Sequence, residues 1–229
     1  MKRLLRLIGL LAFVAAPLAA QETGTLRTHR SANIDDPSRD GARRTMEAFT
    51  ACVASRQNGR VLAMSRLRID SDQYQRMLRN LYDQSGDDCL SGSGTLGFSF
   101  NLLRGGLFMG LYAREFRGNG PTDFSAIATT GYRELYTDEI SPEVRSALAL
   151  EQFGECVSRA DAGGVQTLLR QGPGTSGERA AIQALVPRFA ACIPQNETIA
   201  FSPSVLKGAL AEGIYRLSVA ARDARQAGR

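Results

Sequence analysis

The sequence predicts an all-α protein, a tandem duplication of a roughly four-helix, disulfide-pinned unit packed as a pseudo-symmetric pair. Three observations lead there. Apolar residues recur at helical spacing, and no run of alternating β-branched residues competes with them. Landmark residues recur at an offset of 104 residues and then, after one residue drops out, of 103. Each copy of the pattern also carries two cysteines at nearly the same separation.

Residues 1–20 read as a signal peptide. Lys2, Arg3 and Arg6 precede an apolar stretch too short to span a bilayer comfortably, and Pro17-Leu-Ala-Ala20 closes it with small residues. Position 21 is glutamine, so no cysteine stands at the cleavage point to carry a lipid. Removing the segment leaves 25 basic against 23 acidic side chains, a net charge of +2 without a clustered basic face, which argues against a nucleic-acid partner. Residues 21–44 are polar and rich in turn formers (Gly24, Asp35, Asp36, Pro37, Gly41) and read as a flexible lead-in holding the single histidine, His29.

The first unit spans 45–116 and the second 141–218. Met46, Phe49, Cys52 and Val53 form a buried helical stripe, matched by Leu150, Phe153, Cys156 and Val157. A short second helix follows Gly59 and Gly163. The third carries Tyr74, Met77, Leu78 and Leu81 in one unit and Ile182, Leu185, Val186 and Phe189 in the other, where Pro187 is expected to kink it. The fourth runs over about 100–116 and 203–218. Start signals agree: Ser141-Pro142 and Ser202-Pro203 place a capping residue before a first-turn proline, and Thr175-x-x-Glu178 has capping-box form. Residues 117–140 join the units as an ordered connector, and 219–229 read as a fraying tail.

Four cysteines allow three pairings. The repeat selects Cys52–Cys89 and Cys156–Cys192, each worth about 3–4 kcal/mol in the loop-entropy model. Zinc is disfavoured, because these gaps are far longer than metal-ligand spacings and His29 is remote. No metal or cofactor is expected.

The best-matched segment is Leu103-Arg-Gly-Gly-Leu-x-x-Gly-Leu-Tyr112 against Leu206-Lys-Gly-Ala-Leu-x-x-Gly-Ile-Tyr215. Gly106 and Gly110, or Ala209 and Gly213, put small residues four apart on one face, as tight helix packing requires. The charged residues within the segment exclude a membrane span. Its candidate contacts are Arg104 and Lys207, as anion-binding cations, with Tyr112 and Tyr215 as stacking walls. Asp83, Asp87 and Asp88 lack the spacing of a calcium loop, and Gly92–Gly97 lacks the lysine of a phosphate-binding loop. Nucleophilic triads want an imidazole, and His29 lies in the lead-in. Glu115, Glu143, Glu155, Glu178 and Glu212 remain as acids that could pair in space.

The functional expectation is a periplasmic or secreted, non-enzymatic binding or structural protein of the cell envelope with an envelope protein as partner. The alternative is an enzyme with a carboxylate and tyrosine site in the groove between the units.

Overall fold

The helices begin where a short oxygen-bearing side chain can accept a bond from an otherwise orphaned N–H. The computed structural model describes residues 26–27, 39–84, 89–90, 95–97, 99–137, 139–193 and 201–228. Eight α-helices lie among them: α1 (Arg39–Arg56), α2 (Asn58–Ser65), α3 (Asp72–Asp83), α4 (Phe100–Phe116), α5 (Pro142–Ala160), α6 (Ala162–Leu169), α7 (Ser176–Cys192) and α8 (Pro203–Ala227). The side chains of Ser71, Ser99, Ser141, Asp161, Thr175 and Ser202 accept from the N–H groups of Tyr74, Leu102, Val144, Gly164, Glu178 and Val205, starting six of these helices. A two-residue antiparallel ladder, β1 (Leu26–Arg27) with β2 (Thr95–Leu96), is the extended structure among the described residues. The signal-like segment, His29, Asp87, Asp88 and Gly92–Gly94 lie outside the described residues.

Helices α4 and α8 cross at the centre. Helix α1 packs on the outer side of α4 and α5 on the outer side of α8, while α2 and α3 flank the first pair and α6 and α7 the second. The crossing is built from glycine: a Cβ on Gly105 would lie 2.5 Å from the Cα of Gly208. Outward from there, Gly106 meets Thr50 and Gly110 meets Ala54 on α1, while Gly154 on α5 meets Ala209 and Gly213 on α8. Glycine inside a helix costs up to about 1 kcal/mol relative to alanine, and these close approaches are what offset it.

Because neighbours surround it, the first half of α8 is buried on every face: each residue from Leu206 to Tyr215 is buried, as is each from Leu102 to Phe108 on α4. The apolar side chains form one connected core reaching from Phe49 to Ala221. Cys52–Cys89 and Cys156–Cys192 are both disulfide-bonded. No helix of the described residues is long and apolar enough to cross a membrane.

Two boundaries differ from the sequence reading. Helix α1 begins at Arg39, six residues inside the expected lead-in, because Arg43 is drawn into a buried ion pair with Glu178. That turn faces charge rather than apolar core, so it shows no hydrophobic period. Helix α8 continues to Ala227, through the expected tail. Ala221 is buried and Arg222 pairs with Glu115 at 2.7 Å, which ties the extra turns to α4.

The connector is held by side chains of the second half. Arg159 donates to the carbonyls of Phe124, Ile127 and Ala128 at 2.8–3.0 Å, and Gln166 to those of Gly120 and Pro121. An Arg159→Ala variant is therefore expected to lose about 1–2 kcal/mol and to open the connector to limited proteolysis around Phe124–Thr130. Unchanged cleavage there would show that Arg159 is dispensable for its order.

Candidate functional site

Arg104 and Lys207 are both buried, and each meets carboxylates. On α4, Arg104 donates to the Ala147 carbonyl at 3.1 Å, to Glu151 at 2.8 Å and to Glu212. Arg216 closes the group by pairing with Glu212 at 2.9 Å and by donating to the Ser65 carbonyl. Two arginines thus balance two glutamates. Burial pulls the Glu212 carboxyl up, and the attraction of Arg104 and Arg216 offsets this only in part, so it stays above its ordinary range. Burial likewise pushes the Tyr74 hydroxyl up, and its oxygen is buried without a hydrogen-bond partner among the described residues.

Lys207 on α8 sits in a second group, where it and Arg43 meet Glu47, Glu178 and the half-exposed Asp40. Its Nζ donates to Glu47 at 2.7 Å and to the Gln171 carbonyl at 2.9 Å, with Glu178 at 3.7 Å. Arg43 spans Glu178 with both terminal nitrogens and donates its Nε–H to Ser204 at 3.0 Å. Burial raises the Glu178 carboxyl, but hydrogen bonds from Arg43 and the Gly174 N–H, with the charge of Lys207, more than offset this and hold it low. Neither cation is presented to solvent as an anion contact.

Tyr112 and Tyr215 do not wall these cations, since eight helical residues put them about 12 Å further along the axis. They join Phe108 and Phe116 in an aromatic cluster at the other end of the α4–α8 seam, with centroids 5.4–6.1 Å apart. Tyr215 donates to Glu115 at 2.9 Å, and the Tyr112 oxygen accepts from the Gly120 N–H at 3.1 Å. Of the remaining acids, Glu155 accepts from Thr130, Tyr132 and Arg159. Burial would raise its carboxyl, and these bonds lower it below the ordinary range.

Glu143 lies elsewhere, in a cleft of about 920 Å³ between α3, the first turn of α4 and the connector leading into α5. Leu78, Tyr82, Phe100, Leu103, Ile140 and Val144 give it apolar walls. Among the described residues, Asp70, Asp72, Asp83, Glu139 and Glu143 line it with carboxylates against a single arginine, Arg79. Its size suits a small organic ligand. The bond from its own backbone N–H and the Ser141 hydroxyl hold the Glu143 carboxyl below its ordinary value.

Sequence reasoning did not single out Arg43, Glu47, Glu151 or Arg216, nor the cleft acids as a group. A signal for the glutamates was present, since Glu47 and Glu151 recur at the 104-residue offset. Among the described residues, no three His, Cys, Asp or Glu side chains are placed to hold a metal ion. Comparison with protein-family models finds no match, and neither does comparison with curated proteins or with solved structures.

Proposed function

We propose that the protein is an exported, non-enzymatic binding protein of the cell envelope, a tandem duplication whose recognition site is the cleft beside α3, α4 and α5. The observation that carries this reading is the cleft itself: 920 Å³ lined by apolar walls and five carboxylates, of which Asp70 pairs with Arg68. The buried acids Glu151, Glu155, Glu178 and Glu212 are each engaged by arginine, as is Asp70 at the cleft, whereas Asp72, Asp83, Glu139 and Glu143 have no ion-pair partner among the described residues. Two disulfides support an oxidising compartment outside the cytoplasm.

The duplication draws its support from crossed contacts. Arg104 of the first unit pairs with Glu151 of the second, and Lys207 of the second pairs with Glu47 of the first. The two cations correspond under the repeat, and so do the two glutamates. A two-fold relation through the Gly105–Gly208 crossing produces this exchange naturally.

The alternative enzyme reading draws on the same cleft, which brings Tyr82 alongside carboxylates from both units. General-acid chemistry needs a carboxyl held protonated near neutral pH, and Glu143 is shifted the opposite way. Binding is the better reading.

A photo-crosslinking residue at Arg79, compared with one at Arg225 in the last turns of α8, tests it in the native cell. Adducts specific to the cleft position are expected. Equal labelling from both positions would remove the cleft as the recognition site.

A further inference from the structure

The cleft acids pose a question of their own, since an acid on a helix often needs no explanation beyond the helix. Asp72 and Glu143 sit in the first turns of α3 and α5, where a negative charge meets the positive end of the helix dipole. Asp70 pairs with Arg68 at 2.7 Å. Asp83 and Glu139 have no such account. Asp83 is the last residue of α3, at the end where the dipole disfavours an acid, and neither residue has an ion-pair partner among the described residues.

The second unit supplies an internal control. At the 104-residue offset, Asp70, Asp72 and Asp83 correspond to Gly174, Ser176 and Pro187, and Tyr82 corresponds to Val186. What the fold requires does recur: Ser71 and Thr175 both cap their helices, and Leu81 and Leu185 are both fully buried. The same helix is therefore built in α7 without any of the α3 acids that line the cleft. For Asp83, at the unfavourable end of the helix dipole, folding gives the charge no use.

Resting on the binding reading above, we infer that the cleft takes a small aliphatic dication, an apolar chain carrying an ammonium group at each end. The first turn of α4 lies between the two acidic sides. It touches α3 through the Tyr74–Phe100 ring contact, with centroids 6.2 Å apart, and α5 through the Asn101–Ser146 hydrogen bond. Asp70, Asp72 and Asp83 stand on the α3 side, and Glu139 and Glu143 on the other. Phe100 and Leu103 of α4 line the cleft between them. A chain lying over those two residues would put one ammonium near each acidic side, and Tyr82 offers a ring face for cation–π contact. An anion or a neutral chain of equal length gains none of the charge complementarity.

Octane-1,8-diamine and octane-1,8-diol, equal in length and apolar body, separate the two contributions by calorimetric titration of the full mature chain. The diamine is expected to bind about tenfold tighter or more, with an advantage that shrinks as salt is added. Asp83→Asn combined with Glu139→Gln, both at exposed positions, is expected to erase that advantage while leaving the thermal midpoint in place. Equal binding of diamine and diol, or an unchanged diamine affinity in the double variant, overturns the dication assignment and leaves the binding reading standing. Absence of binding by either compound, together with no cleft-specific crosslink from Arg79, brings down both.

Discussion

An Arg104→Met variant is expected to lose about 3–5 kcal/mol of stability at neutral pH and to recover part of it in mild acid. Arg104 is almost wholly buried and, together with the more exposed Arg216, holds both Glu151 and Glu212. Methionine fills similar volume, so the loss comes from charge left in a dry interior rather than from a cavity. The pH dependence has a definite sign. Glu212 already holds its proton more tightly in the folded chain than the ordinary value of 4.5. A carboxyl raised by folding favours the folded state below its unfolded pKa and loses that advantage as pH rises through its folded one. Removing Arg104 raises the carboxyl further and widens the window. The deficit relative to the parent should therefore be smaller at pH 5 than at pH 8. Thermal denaturation reads it as a shift of roughly 6–20 °C at neutral pH. A deficit independent of pH would show that Glu212 does not carry the penalty.

Gly154→Ala should cost nearly as much, by a different route. Its new methyl group would fall inside the contact distance of the Ala209 carbonyl, and backbone cannot step aside as a side chain does. Overpacking of this kind costs about 3 kcal/mol, of which alanine's better helix propensity returns up to about 1 kcal/mol. Gly59→Ala is the control, because a methyl group there meets nothing within 4 Å. It should stabilise the chain by about 0.5 kcal/mol. Opposite signs for two formally identical substitutions, measured by chemical denaturation, would establish that α5 and α8 are in backbone contact. A neutral Gly154→Ala would mean that the two helices can separate.

The helices were legible because their signals are local. A serine or threonine before the first turn, and an apolar side chain every three or four residues, are both readable without knowing the rest of the chain. The disulfide pairing came from the recurrence of Cys52 and Cys89 as Cys156 and Cys192. The first turns of α1 stayed hidden because what holds them, the Arg43–Glu178 pair, joins residues 135 positions apart. Gly105 escaped notice for a related reason. Gly106 and Gly110 show the spacing of a packing face, whereas the importance of Gly105 emerges only when Gly208 stands against it. Arg104 and Lys207, candidate anion contacts in the sequence, are interior charges because α4 is enclosed from Leu102 to Phe108 and α8 from Leu206 to Tyr215. The cleft is assembled from three elements distant in sequence, and no single stretch announces it.

The crossed ion pairs also set an order of events. A chain made from its N-terminus presents Arg104 well before Glu212 exists, 108 residues later, and Glu47 waits 160 residues for Lys207. At ordinary rates of synthesis, 108 residues take roughly 5–20 s. Throughout that interval the earlier half keeps charges whose partners have not yet been made, so it has reason to stay open to water and to its helpers. Completion falls to the last helix, which carries Lys207, Glu212 and Arg216 into both groups within three turns. A chain halted before that helix would be an early half held in waiting, recognisable to proteases by what it has not yet neutralised.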